Sequence, residues 1–209
     1  AVRPDLELVA TAARLLSGAK NPIMLAGRCS RSPEGWKARV ALAEKLNLRV
    51  LTNLKTAVAF PTNHRLHGAP PATNLGPEAQ KLIAEADVIL SLDWLDLAGT
   101  LKQAYGAKPV TAKVIQVSCD AHSHRGWSMD YQGLPPVDVY LMCEPEAAVP
   151  LLLEAAKART AGVPAMAAAR LPAAPADAVS LRGVGEALNA ATKRRDVCIT
   201  HLPIGWHGG

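Results

Sequence analysis

The stretch Ala86-Asp87-Val88-Ile89-Leu90-Ser91-Leu92 decides the fold. Its apolar residues follow one another without the alternation of a strand that is wet on one side. A short run of this kind, bounded by polar residues (here Asp87 and Asp93), reads as a strand buried on both faces. Such strands belong to parallel sheets covered by helices. Working outward, Pro22–Ala26 is a second run of the same type and ends at Gly27. Leu48–Thr52, Lys113–Ser118 and Val137–Cys143 add three more, and the connection around Leu66–Ala69 has room for a short one.

Helical spacing fills the intervals. Asp5 is a suitable N-cap for a helix with Leu8, Val9, Ala12, Leu15 and Leu16 inward, stopped by Gly18 and Pro22. Ser32-Pro33 opens a second, with Trp36, Val40, Ala43 and Leu46 on one side. Pro77–Ala86 is a third, with Leu82 and Ile83 inward. Leu97–Ala104 and Glu144–Arg159 follow, the latter presenting Ala148, Leu152, Ala155 and Ala156. Alternating strands and helices predict an α/β fold. The expected architecture is a Rossmann-like three-layer αβα sandwich with about six mostly parallel strands in the order 3-2-1-4-5-6.

The domain reading is 1–160 for this sandwich, 161–179 for an Ala/Pro-rich linker, and 180–209 for the start of a further domain. In the last segment Ser180 caps a helix over Leu181–Lys193, and Asp196–Thr200 reads as a strand.

Composition sets limits. At 209 residues, 49% hydrophobic and 20% charged, the chain can bury a core, which excludes disorder for most of it. Aromatics make up 4%, too few to supply stacking platforms for single-stranded nucleic acid. The net charge of +5 is scattered, with one tight cluster at Lys193-Arg194-Arg195, and reads as solvated surface with no nucleic-acid partner. Cys29, Cys119, Cys143 and Cys198 form no C-x-x-C pair, so neither a disulfide framework nor a metal site is expected. No apolar run approaches the ~20 residues that span a bilayer. The expected setting is cytoplasmic, with no membrane partner.

Candidate sites lie at strand ends. Gly27 ends the first strand, where a doubly wound sheet places a nucleotide phosphate over a helix N-terminus. The local sequence Gly27-Arg28-Cys29-Ser30-Arg31-Ser32 lacks the second and third glycines of G-x-G-x-x-G. It reads either as an anion site using Arg28 and Arg31 or as a plain strand-to-helix turn. Asp93, Asp96 and Asp120 follow strands, and such carboxylates hold a ribose or a metal, or simply form turns. Asp120-x-His122-x-His124 is a weak zinc pattern against the alternative of a solvated loop. His64 and His67 have no local nucleophile. No complete catalytic constellation is assembled.

Five segments together resemble the central domain of thiamine-diphosphate-dependent enzymes. Ala19–Gly27 resembles that family's A-K-x-P-v-i-l-x-G, and Ala59–Gly68 its a-F-P-x-x-H-p-l-x-G. Ala86–Leu90 and Lys113–Asp120 resemble A-D-l-i-l and k-v-i-h-i-D-i-D, and Leu42–Thr52 lies between the first two segments in the expected order. The likeness covers about residues 5–158 and is nearest in pattern to acetolactate synthases.

The resemblance implies a central, scaffolding piece of a three-domain enzyme acting on 2-oxo acids by decarboxylation or carboligation. Its partners would be an N-terminal pyrimidine-binding domain with the catalytic glutamate and a C-terminal domain. The latter holds thiamine diphosphate through Mg2+ and a G-D-G…N-N motif, which does not occur here. A homo-oligomer is implied, and the chain alone should be inactive.

The tail at Ile199–Pro203 resembles the approach to the cofactor diphosphate, with His201 and Pro203 where the family has an acidic residue and a glycine. In acetolactate synthases the central domain binds FAD, and in some relatives ADP. The candidate cofactor-binding residues are therefore Gly27, Arg28, Asp93 and Asp120. This sequence departs from the FAD pattern: Asp93 replaces a glycine, Leu95-Asp96-Leu97 replaces Arg-Phe-Asp-Asp, and Ser118 replaces the first Asp of the fifth-strand motif. FAD binding is therefore expected to be weak or absent. The rival reading is a free-standing FAD-, NAD- or ADP-binding module of the same sheet type.

Overall fold

A computed structural model describes residues 2–121, 131, 133–160, 179–193 and 195. The chain divides into two units, Ala1–Met166 and Ala167–Gly209, and each is treated by itself.

The first unit is built on five parallel strands: β1 (Pro22–Ala26), β2 (Arg49–Leu51), β3 (Val88–Leu92), β4 (Lys113–Val117) and β5 (Val139–Leu141). Their order is β2-β1-β3-β4-β5. Around them lie α1 (Leu6–Gly18), α2 (Pro33–Leu46), α3 (Pro77–Ala84), α4 (Leu97–Tyr105) and α5 (Pro145–Ala155).

The expected order holds, but among the described residues the sheet has five strands, not about six. The expected strand at Leu66–Ala69 shrinks to one parallel bridge, Val50 to His67, on the outer edge of β2. Turns at Pro61–His64 and His64–His67 curl the chain there and leave too little extended backbone for a ladder.

Pleating explains the two cores. In β1, Met24 and Ala26 face one side, where they join Leu16 of α1, Leu42 of α2 and Leu152 of α5. Ile23 and Leu25 face the other, against Ile83 of α3 and Leu101 of α4. Every residue of β1 and β3 is buried, which accounts for their unbroken apolar sequence.

The helix starts follow local chemistry. The Asp5 carboxylate accepts from the Glu7 amide at 2.7 Å and from that of Leu8 at 3.3 Å. Ser32 Oγ accepts from the Gly35 amide at 3.0 Å, with Pro33 pre-setting the first turn. The inward face of α2 is rotated from the expected one. Arg39, Leu42, Ala43 and Leu46 are buried, while Trp36 and Val40 are half-buried, because Arg39 points into the protein. In α5, Val149 takes the buried position expected for Ala155, since the helix ends at that residue.

Two of the family-like segments meet at the bottom of the sheet. Asp87 accepts from the amides of Lys20 (2.5 Å) and Asn21 (2.9 Å), fixing the turn that enters β1 beside β3. Arg159 closes the unit. Its amide donates to Lys45 O (3.0 Å), and its guanidinium to Leu46 O (2.6 Å) and Lys20 O (2.9 Å). The bonds to Lys45 O and Leu46 O satisfy carbonyls at the end of α2, and the one to Lys20 O ties in the chain just past α1.

In the second unit one helix is described, α6 (Leu181–Thr192), with Ser180 Oγ accepting from the Gly183 amide at 3.0 Å. The expected linker over 161–178 and the expected strand at 196–200 lie outside the described residues.

Candidate functional site: the crevice between β1 and β3

The sheet reverses direction between β1 and β3: from β1 the chain winds outward to β2, and from β3 it winds the other way to β4 and β5. Open α/β sheets bind ligands at such a switch point, outside the C-terminal ends of the strands. Gly27 and Arg28 leave β1 there, Asp93 leaves β3, and Asp120 follows β4. The four candidate residues, spread over more than ninety positions of sequence, therefore come to one place.

They are bound to each other. Arg28 grips Asp93 with two bonds, Nε to Oδ2 at 2.8 Å and Nη2 to Oδ1 at 2.9 Å. The same Nη2 donates to Asp120 Oδ2. Ser118 Oγ donates to Asp93 Oδ1 at 2.6 Å and accepts from the Asp120 amide at 3.0 Å. Asp93 is the most enclosed of the three charged groups, with its side chain 15% exposed. Burial pulls the Arg28 pKa down, but its hydrogen bonds to Asp93 and Asp120, together with their charge, outweigh it and leave it raised. Burial, and then the charge of Asp120, raise the pKa of the Tyr140 phenol, which belongs to the same neighbourhood.

Backbone geometry explains two residue choices. A methyl group on residue 27 would come inside 3.0 Å of the Asp93 carbonyl and of Trp94 Cα. Gly27 is thus required by the neighbouring strand end, independently of any ligand. Asp93 has φ +49, a left-handed conformation that glycine adopts freely and that Asp, with its short polar side chain, also tolerates. Asp96 has φ +55 and caps α4, accepting from the Gly99 amide at 3.1 Å.

Two residues that shape this corner carried no signal in the sequence. Glu146, in the first turn of α5, places Oε1 2.6 Å from the Ser30 amide and 3.2 Å from Arg39 Nη1. Arg39, 1% exposed, also donates to the carbonyls of Ser30 (3.0 Å), Val58 (3.2 Å) and Ala59 (2.9 Å). A charged residue in a helix normally reads as solvated, and its partner lies more than a hundred residues away. Ser118 was visible only as a departure from the family pattern.

The remaining candidates have structural roles or lie outside. His64 bonds Glu44 at 3.2 Å, accepts from the Leu66 amide and stacks edge-on with Phe60. His67 Nε2 pairs with Thr52 Oγ1 at 2.9 Å. The Cys29 thiol is pushed up to about 12 and that of Cys143 to about 11, both chiefly by burial, so neither is a ready nucleophile. Arg31 is exposed. His122, His124, Cys198, His201 and Pro203 lie outside the described residues. Among the described residues no group of three or more His, Cys, Asp or Glu could hold a metal ion, so these residues do not fit a Mg2+–diphosphate seat. Among them, too, no helix is long and apolar enough to cross a membrane.

Residues 9–130, more than half of the chain, match the model of the thiamine pyrophosphate enzyme central domain.

The chain belongs to the thiamine pyrophosphate enzyme family, as its central domain.

Curated relatives of this central domain include the probable sulfoacetaldehyde acetyltransferase of Rhizobium meliloti, 40% identical over 116 residues. That match covers 54% of this chain and 20% of the relative. The sulfoacetaldehyde acetyltransferase of Rhodobacter capsulatus is 38% identical over 117 residues, covering the same shares. The matched part is thus about a fifth of the relatives' length. Among solved structures, a putative thiamin diphosphate-dependent enzyme from Mycobacterium smegmatis superposes with TM-score 0.58 at 20% identity, over 78% of this chain and 30% of that one. Benzoylformate decarboxylase from Polynucleobacter necessarius superposes with TM-score 0.55 at 22% identity, over 77% and 29%. These likenesses establish the central-domain fold. The family in turn implies thiamine diphosphate as cofactor of the enzyme that such a domain serves.

Proposed function

We propose that this chain is the scaffolding middle of a thiamine-diphosphate-dependent enzyme of the sulfoacetaldehyde acetyltransferase kind. The observation that carries the reading is the 36–40% identity, over 113–118 residues of the family domain, to five curated relatives that all bear that name. The sequence resemblance favoured acetolactate synthases, and the curated relatives move the reading toward acetyl transfer from sulfoacetaldehyde. A free-standing FAD, NAD or ADP module is not favoured, because the matching family is one of multidomain enzymes.

In this reading the domain does no bond-making itself. It packs between a pyrimidine-binding and a diphosphate-binding domain, which orient the cofactor and shield the carbanion it stabilises. A homo-oligomer brings the catalytic surfaces together.

The test is the enzyme that carries this domain, assayed with thiamine diphosphate and Mg2+ against sulfoacetaldehyde and against pyruvate. Cofactor-dependent consumption of sulfoacetaldehyde is the expected result. Acetolactate formed from pyruvate, with sulfoacetaldehyde untouched, would replace this reading by the acetolactate synthase one.

A further inference from the structure

We propose that the switch-point crevice is an anion cradle whose anions are built into the chain. Asp93 and Asp120 on Arg28, and Glu146 at the foot of α2, take the places of a nucleotide's phosphates. The domain then needs no FAD, ADP or NAD.

Two observations carry this. First, Arg28 is the cation that crosses the crevice, and two carboxylates already hold it, one of them with two bonds. Charge-assisted pairs of this kind are what an arginine would otherwise form with a phosphate.

Second, four successive amides of the turn from β1 to α2 are already engaged. Gly27 N–H donates to Leu92 O (2.9 Å), Arg28 N–H to Asp93 O (3.0 Å) and Cys29 N–H to Gly27 O (2.9 Å). The Ser30 N–H donates to the Glu146 carboxylate at 2.6 Å. In dinucleotide-binding sheets these are the amides that meet the pyrophosphate at the helix N-terminus. Here a carboxylate from α5 stands in that position, itself held by the buried guanidinium of Arg39.

FAD and ADP therefore do not fit the residues present, on charge and on donors alike. This inference is independent of the reaction proposed above, and its failure would leave that reading standing.

The full 209-residue chain is titrated calorimetrically with FAD, ADP and inorganic pyrophosphate at low ionic strength. No saturable binding is expected at millimolar ligand. The Asp93→Gly/Asp120→Asn double variant, in which glycine suits the φ of +49 at position 93, is expected to bind pyrophosphate at least roughly tenfold more tightly than the wild type. Adding Arg28→Met should abolish that gain. Micromolar binding of FAD or ADP by the wild type would overturn the proposal, and so would a folded double variant with no gain. Circular dichroism checks the fold. Should the double variant not fold, Asp93→Asn alone, which keeps the side chain's shape, is judged by the same criteria.

Discussion

Val58 stands at φ +58 with its side chain half in solvent, a conformation that costs a β-branched residue about 1–2 kcal/mol. It persists because Arg39 draws the carbonyls of Val58 and Ala59 inward. Val58→Gly should therefore stabilise the fold by about 0.5–1 kcal/mol after glycine's larger entropy loss, read as a higher urea midpoint with unchanged slope. His67 gives a pH signature. Burial holds its pKa below the ordinary 6.5. The unfolded chain takes up a proton below about pH 6.5 while the folded one does not, so stability falls as pH drops through 6.5 toward the lowered native value. His67→Gln should flatten that part of a denaturation–pH profile, and a slope unaltered by the substitution would count against it. Neither residue was readable as special beforehand. Nothing in the sequence marks Val58 for positive φ, and His67 looks like any loop histidine until the bridge to Val50 buries it.

At the level of elements, the strands were legible because burial on both faces leaves an unbroken apolar run, which few other environments produce. The ends were less legible: β5 is three residues, Val139–Leu141, where seven had the right composition. Helix starts were legible through Asp5, Ser32 and the prolines at first positions, since capping is local chemistry. The orientation of α2 was not, because it depends on Arg39 finding Glu146 across α5. That pair ties α2, α5 and the loop after β2 into one corner. Arg39→Met would leave Glu146 and three carbonyls without this donor, and should cost about 3–5 kcal/mol. An equilibrium unfolding experiment measures this, and a loss below about 1 kcal/mol would show that the corner is not held this way. The site divides along the same line. Gly27, Arg28, Asp93 and Asp120 lie together because a parallel sheet brings its strand ends together. The saturation of Arg28 and the role of Glu146 depend on side-chain geometry that strand order does not encode.

At the scale of the whole molecule, the first unit layers helices on both faces of five parallel strands among the described residues, with Arg159 fastening its end. Its switch-point crevice, the place where this topology would hold a ligand, is occupied by its own Arg28, Asp93 and Asp120. In the proposed reading, a domain of this kind contributes shape and surface to a thiamine-diphosphate enzyme and leaves the chemistry to its neighbours. The most direct measurement is turnover by the purified 209-residue chain supplied with thiamine diphosphate, Mg2+ and either sulfoacetaldehyde or pyruvate. Consumption no faster than in a protein-free control is expected for both. Cofactor-dependent, saturable turnover by this chain alone would contradict the scaffolding role.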